Sequence, residues 1–377
     1  MNSVYQIFPI APCLISYLLG CRGIIPWPLK REVPCYELGA SYLDPEIIET
    51  RPMIDLSSKF AGLSLKSPIV VSSSGLTYSV ERIRKMSAAG AGAVVMKSLF
   101  EEQINHEIGQ LSAGSDYPEA EDYLRTYARE NSLDAYLSII KDAKKVVDLP
   151  IIASINCISA KEWIDFSTKI EDSGADALEL NIYFLPINKD KDPRDYEKVY
   201  LDLVSEVKAK TKLPVVVKLG AGFSNITWMV NQLYLRGAAG VVLFNRFYAP
   251  DINTDDFSFG SAEVLSSPAE LRSTLRWIGI VSSQVQQMDL AASTGVHSGM
   301  AVVKQILAGA HAVQVCSVLY RNGIEYIRDM IAEVKKWMEK NNYERPDQFR
   351  GKLNYSSLDD PSVYERAQFI KYFSNMH

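Results

Sequence analysis

A chain of 377 residues, 47% hydrophobic and 23% charged, can bury one large core or two small ones and has the balance of an ordinary globular protein. Its formal net charge of -5 supplies no basic face for nucleic acid. Five cysteines without a C-x-x-C pair, and four histidines without an H-x-x-x-H pair, exclude a disulfide framework and argue against a metal site.

Residues 1–52 are expected to form an N-terminal extension outside the fold. The stretch "YQIFPIAPCLISYLLGC" has about the length of a signal h-region and is shorter than a spanning helix. Leu18-Leu19-Gly20-Cys21 is similar to a lipoprotein cleavage box, yet no Lys or Arg precedes the apolar run. Two readings stand: an extension translated from an upstream start codon, with Met53 as the start, or an export or membrane-anchoring signal.

From residue 53 short β-branched runs alternate with helix-like segments. Strands are predicted at "SPIVVSSS" (67–74), "AGAVVMKS" (91–98), "PIIASIN" (150–156), "ALELNIY" (177–183), "PVVVKLG" (214–220), "GVVLFN" (240–245), "MDLAAST" (288–294) and "AVQVCS" (312–317). These runs are almost continuously apolar, as suits parallel strands covered on both faces, and eight is the number a closed barrel requires. Helices open on the N-cap residues Ser79, Ser159 and Ser298 and stop at Gly90, Gly174 and Gly309. The predicted fold is therefore α/β, a (β/α)8 TIM barrel over residues 53–353. An open doubly wound sheet is the weaker reading, because "SSSGLT" after the first strand is not a G-x-G-x-x-G loop. Residues 99–131 and 246–267 read as long connections leaving the C-terminal ends of strands. "NGIEYIRDMIAEVKKWMEKNNY" reads as an amphipathic outer helix, and the tail 354–377 as a second short helix on the barrel exterior.

Polar residues recur at the strand ends: Ser72, Ser73, Ser74 and Gly75; Lys97 and Ser98; Asn156; Asn181; Lys218; Asn245 and Arg246; Ser293, Thr294 and Gly295; Cys316 and Ser317. Two lysines and three amides converging on one barrel mouth point to a shared ligand. The segments "STGVHSG" and "CSVLYRNG" after strands seven and eight expose backbone N–H groups where phosphate-binding barrels hold phosphate. A phosphate at one end and an acceptor-rich ring at the other describe flavin mononucleotide (FMN); a sugar phosphate fits the same chemistry.

In order from Asp55 to Leu353, "DLSSKFAGLSLKSPIVVSSSG", "GAGAVVMKS", "LPIIASIN", "EDSGADALELNI", "LPVVVKL", "GVVLFNRFY", "STGVH", "AVQVCSVLYRNG" and "FRGKL" resemble the dihydroorotate dehydrogenase family and the flavin domain of dihydropyrimidine dehydrogenase. The resemblance implies FMN and a role in pyrimidine biosynthesis in the cytoplasm. It implies Lys97 and Lys218 near the flavin ring, with Asn156 and Asn181 around ring and substrate. Ser73, Ser74, Gly75 and Ser98 complete the cofactor site, and Gly295, Val296, Cys316 and Ser317 hold the phosphate. Asn245 falls in the substrate pocket, beside Arg246, which suits a substrate carboxylate.

The sequence departs from the family where proton abstraction occurs. The family segment N-[LI]-S-[CS]-P-N carries a Cys or Ser base; here Asn181-Ile182-Tyr183-Phe184-Leu185-Pro186 puts Phe184 at that position. The "YFL" triplet is expected to reshape the pocket above the flavin. Lys97, Asn181 and Tyr183 are the catalytic candidates, although a phenol is a better acid than base near neutral pH. His106, in the 99–131 connection, is an alternative base.

Three functions are compatible with these residues. The first is an FMN-dependent dehydrogenase exchanging hydride with a CH–CH bond next to a carbonyl, in dihydroorotate or a related dihydropyrimidine. The second is a lysine-dependent aldolase or lyase using Lys218. The third is a flavin-binding protein without dihydroorotate activity. The chain lacks a cluster-ligating Cys set, so an iron–sulfur electron acceptor would be a separate subunit. A homodimer is a further expectation.

Overall fold

A computed structural model describes residues 54–100, 118–157, 160–247, 249–261 and 263–365. The expected N-terminal extension, Ser159 and His106 lie outside these residues.

The described chain opens with an antiparallel hairpin, β1 (Ser58–Phe60) and β2 (Leu63–Leu65), turning through Ala61 and Gly62 at positive φ. Eight strands follow as the barrel: β3 (Ile69–Val71), β4 (Ala93–Val95), β6 (Ile151–Asn156), β7 (Ala177–Asn181), β8 (Val215–Leu219), β9 (Gly240–Leu243), β12 (Asp289–Ala292) and β13 (Ala312–Val315). Each pairs in parallel with the next, and β13 closes on β3 with Val313 opposite Ile69. The short β5 (Leu99–Phe100) adds to β6 beyond the end of β4.

Strand alternation divides the apolar residues between two cores. Ile69, Val71, Val94, Leu178, Val215 and Val217 pack outward with helix residues such as Ile83, Trp163 and Phe166. Val70, Ala93, Val95, Ile152, Ala177, Val216, Val242, Ala291 and Ala312 point inward and pack on Phe60 and Leu65 of the hairpin. The hairpin thus plugs the N-terminal end of the barrel. It is tied there by Ala61 N–H donating to Asp289 Oδ2 (2.7 Å) and Ser58 Oγ donating to the His311 carbonyl (2.6 Å). Gly240 makes room for the plug, since a Cβ there would stand 3.0 Å from the Phe60 ring.

The connecting helices are α1 (Val80–Ala89), α2 (Pro118–Val146), α3 (Ala160–Glu171), α4 (Pro193–Lys208), α5 (Ile226–Leu235), α6 (Leu271–Gln284), α7 (Gly299–Ala308), α8 (Ser317–Asn322) and α9 (Tyr326–Lys340). Gly90 and Gly309 close α1 and α7 at positive φ, and the Ser298 side chain accepts from Ala301 N–H at the start of α7.

Two expectations change. The connection 99–131 is helical from Pro118, where proline's fixed φ suits a helix start. The connection 246–267 carries an antiparallel hairpin, β10 (Pro250–Asn253) and β11 (Ser258–Ser261). The described part of the tail, to Glu365, forms 3₁₀ turns at Tyr355–Ser357 and Pro361–Tyr364. Asn354 and Asp360 cap these single turns with their own side chains, and Pro361 prevents continuation from the first into the second. Among the described residues, no helix is long and apolar enough to cross a membrane.

Candidate active site

The inward positions change character along each strand. Two residues beyond the apolar layer, the same strand parity presents Ser72, Lys97, Ser154, Glu179, Lys218, Ser293 and Gln314. A further step of two brings Asn156, Asn181 and Cys316. The upper barrel is therefore polar because the alternation that buries the plug continues toward the C-terminal ends.

These side chains form two connected networks. In the first, Lys218 Nζ donates to Ser72 Oγ (3.0 Å) and to Gln314 Oε1 (2.9 Å). Gln314 Nε2 donates to Glu179 Oε2 (2.7 Å), and Glu179 Oε1 lies 3.9 Å from Lys218 Nζ. In the second, Asn245 Nδ2 donates to Asn181 Oδ1 (2.8 Å), and Asn181 Nδ2 reaches Ser98 Oγ at 3.5 Å. Ser98 Oγ pairs with Ser154 Oγ (2.8 Å) and Ser73 Oγ (3.0 Å). Tyr136 of α2 anchors this network from outside: Ser154 N–H donates to its hydroxyl, which donates to the Ser154 carbonyl. Burial pushes the Tyr136 phenol far above its ordinary value, so it is a fixed neutral anchor. Lys97 is half-buried, its Nζ 5.5 Å from the Tyr78 ring centroid, and half-buried Asn156 ends β6 opposite Phe100.

The loops after β12 and β13 lie beside these networks. Thr294 and Gly295 both take positive φ, and Val296 is buried. Ser266 ties the loops together: its N–H donates to Ser317 Oγ (2.9 Å), and its hydroxyl is 3.1 Å from His297 Nε2. Burial pushes the Cys316 thiol up, against a hydrogen bond with Ser74 and the nearby Lys218 charge. Gly75 lets the loop after β3 approach α8, with its would-be Cβ 3.1 Å from the Tyr320 hydroxyl. Gly295 serves packing first, because a Cβ there would stand 2.2 Å from Leu271 N at the start of α6.

Two sequence expectations are revised by these contacts. Arg246, expected to face a substrate carboxylate, is engaged within its own loop: Nε donates to Glu270 Oε2 (2.8 Å) and Nη1 to the Val264 carbonyl (2.9 Å). The "YFL" triplet does not act as a unit. Phe184 packs edge-on to Tyr200 of α4 (5.7 Å between centroids) and donates its N–H to the Tyr200 hydroxyl (3.2 Å). Tyr200 in turn packs edge-on to Phe223. Tyr183 instead stacks on Phe247 at 3.4 Å, joining the loops after β7 and β9, while Leu185 is exposed. The sequence reading missed Glu179, Gln314, Ser154 and Tyr136. Strand parity was the available signal for the first three; Tyr136 had none, since it arrives from a helix.

A model of the family described as Dihydroorotate dehydrogenase matches residues 55–338. The catalytic subunit of dihydroorotate dehydrogenase B (NAD(+)) from Thermoplasma volcanium is 27% identical over 319 residues, covering 79% of this chain and 98% of that relative. The putative dihydroorotate dehydrogenase A (fumarate) of Aquifex aeolicus is 26% identical, covering 77% and 95%. The chloroplastic dihydropyrimidine dehydrogenase (NADP(+)) of Arabidopsis thaliana is 24% identical over 348 residues, covering 84% and 81%.

Proposed function

The chain belongs to the dihydroorotate dehydrogenase family, oxidoreductases acting on CH–CH groups, and on that premise we propose that it is FMN-dependent and acts on a CH–CH bond next to a carbonyl in dihydroorotate or a related dihydropyrimidine. The observation that carries this reading is the polar upper layer of the barrel, with Lys218 buried in it among acceptors.

The donor set fits the cofactor. Lys97, Lys218, Asn156 and Asn181 offer two ammonium groups and two amides to a ring rich in acceptors, with Ser73, Ser74, Gly75 and Ser98 alongside. The backbone at Gly295, Val296, Cys316 and Ser317 offers N–H groups to a phosphate. When bound, FMN supplies the ring that exchanges hydride with the substrate. The chain's own residues do the rest. Lys97 and Lys218 hold positive charge where a reduced ring needs it. The Asn181–Asn245 pair, 2.8 Å apart, presents a preset amide geometry to the substrate's carbonyl edge. Tyr183, fixed by its stack on Phe247, holds a proton at Oη as an acid. Phe184 takes no part in proton transfer.

The test is the absorption spectrum of the purified protein, followed by anaerobic titration with dihydroorotate and with dihydrouracil. A yellow protein bleached by either supports the proposal. A colourless protein trapped by borohydride on a carbonyl substrate would make it a lysine-dependent lyase. A yellow protein that neither compound reduces would make it a flavin-binding protein without this activity. The hydrogen bonding of Lys218 speaks against the lyase, because an amine donating to Ser72 and Gln314 is arranged as an ammonium and not as a free nucleophile.

A further inference from the structure

Glu179 and Lys218 are the two charged side chains that are buried among the described residues, and they face each other inside the barrel. Their separation is unusual for such a pair. Glu179 Oε1 is 3.9 Å from Lys218 Nζ, beyond a hydrogen bond, and this buried oxygen has no hydrogen-bond partner. Buried carboxylate oxygens ordinarily find donors, so something holds the ammonium off.

Gln314 is that spacer. Its Oε1 accepts from Lys218 at 2.9 Å and its Nε2 donates to Glu179 at 2.7 Å, while Ser72 Oγ donates to the same Oε1 at 3.0 Å. The amide orientation follows from chemistry. Turned over, Gln314 would set its oxygen against a carboxylate and its NH₂ against an ammonium. Glu179 lies on β7 and Gln314 on β13, in the same inward layer as Lys218, and the hydrogen-bond chain through Gln314 joins both to its ammonium. Their effect passes through Lys218.

We propose that Glu179 and Gln314 are positioning residues that fix how much positive charge Lys218 presents at the barrel mouth, and thereby set the reduction potential of the bound flavin. This rests on the FMN reading above. A carboxylate beside the ammonium offsets its charge and weakens its support for a ring that becomes negative on reduction. The Gln314 amide limits that loss by keeping the two ions from closing into a contact pair.

The two residues therefore have opposite predicted effects. Glu179→Gln removes the opposing charge. It should favour binding of reduced over oxidised FMN by at least tenfold, a positive shift of about 30 mV for a two-electron couple. Gln314→Met keeps the volume but removes the spacer, so Lys218 closes on Glu179 and the potential shifts negative. The measurement is the midpoint potential of each flavin-loaded protein by anaerobic dye equilibration, with far-ultraviolet circular dichroism confirming the fold. Opposite signs support the proposal, because a merely structural disturbance has no reason to reverse between the variants. If Glu179→Gln fails to fold, the negative shift of Gln314→Met carries the test alone. Shifts of the same sign, or changes below twofold (about 9 mV by the same relation), overturn it. So does the loss of folded, flavin-loaded protein in both variants, which would make the network a structural element only. Wild-type protein that binds no FMN would instead overturn the FMN reading, a separate and recognisable outcome.

Discussion

Replacing Phe184 by Cys puts a thiol at the sequence position where the family carries its base, and the structure predicts that activity will not rise. The Phe184 ring is committed to an aromatic cluster with Tyr200 and Phe223. A Cys in that rotamer would face Tyr200 and not a substrate. Deleting a fully buried Phe costs about 3–5 kcal/mol, and an edge-to-face partner contributes about 0.5–1.5 kcal/mol of this. Phe184 is only partly buried, so about half, roughly 2 kcal/mol, is the expected loss. For a chain of this size that lowers the melting temperature by about 2–4 °C. The assays are a thermal melt and anaerobic turnover with dihydroorotate. A positioned base typically contributes about 10²–10⁴-fold. A rate increase approaching that range, with the melt unchanged, would show that position 184 reaches the substrate and would refute the packing argument.

Lys97→Ala should slow flavin reduction more than it weakens flavin binding, since its charge matters most when the ring becomes anionic; equal losses in rapid-mixing and binding measurements would remove it from the ring environment. Arg246→Met should leave KM for dihydroorotate within about threefold, because the guanidinium is already held by Glu270 and Val264, and a rise beyond tenfold would show that it meets the substrate. Gly295→Ala should lower the melting temperature before it affects flavin retention, through positive φ and the collision with Leu271; loss of flavin with an unchanged melt would restore a direct cofactor role for that position. Stability should also fall in acid. Burial, with Arg350 nearby, pushes His311 down to about 3, consistent with its Nδ1 accepting from Leu290 N–H, while Asp289 Oδ1, 3.3 Å from Nε2, opposes that shift and makes its effect an upper bound. The unfolded chain thus binds a proton that the folded chain refuses: the contribution is full above about pH 6.5 and is lost progressively toward pH 3. Between pH 7 and pH 5 this removes up to about 2 kcal/mol, and His311→Gln should flatten that part of the melting profile.

The barrel was legible because each of its strands is a short apolar run followed by a polar end, and the Gly90 and Gly309 stops were visible as helix ends. Five of the strand-end residues, Ser73, Ser98, Asn181, Asn245 and Lys218, join the hydrogen-bonded interior. What failed was inference from neighbours along the chain. Arg246 follows Asn245, yet it turns to Glu270; Phe184 follows Tyr183 and turns to Tyr200 while Tyr183 meets Phe247. Adjacent residues in extended segments face opposite ways, so proximity in sequence is a poor guide to membership of one pocket.

The same parity explains why the plug and the site are coupled. Val216 and Lys218 lie on one face of β8, Ala177, Glu179 and Asn181 on one face of β7, and Ala312, Gln314 and Cys316 on one face of β13. The apolar member of each series is held against Phe60 and Leu65 by the hairpin, itself tied to Asp289 and His311. A slip of one residue in any of these strands would carry its apolar residue out of the plug and its polar residues into the helix layer, burying a Lys or Glu without partners. The two requirements fix the same register. An apolar plug at one end of the barrel is therefore part of what keeps Lys218, Gln314 and Glu179 in one network at the other end.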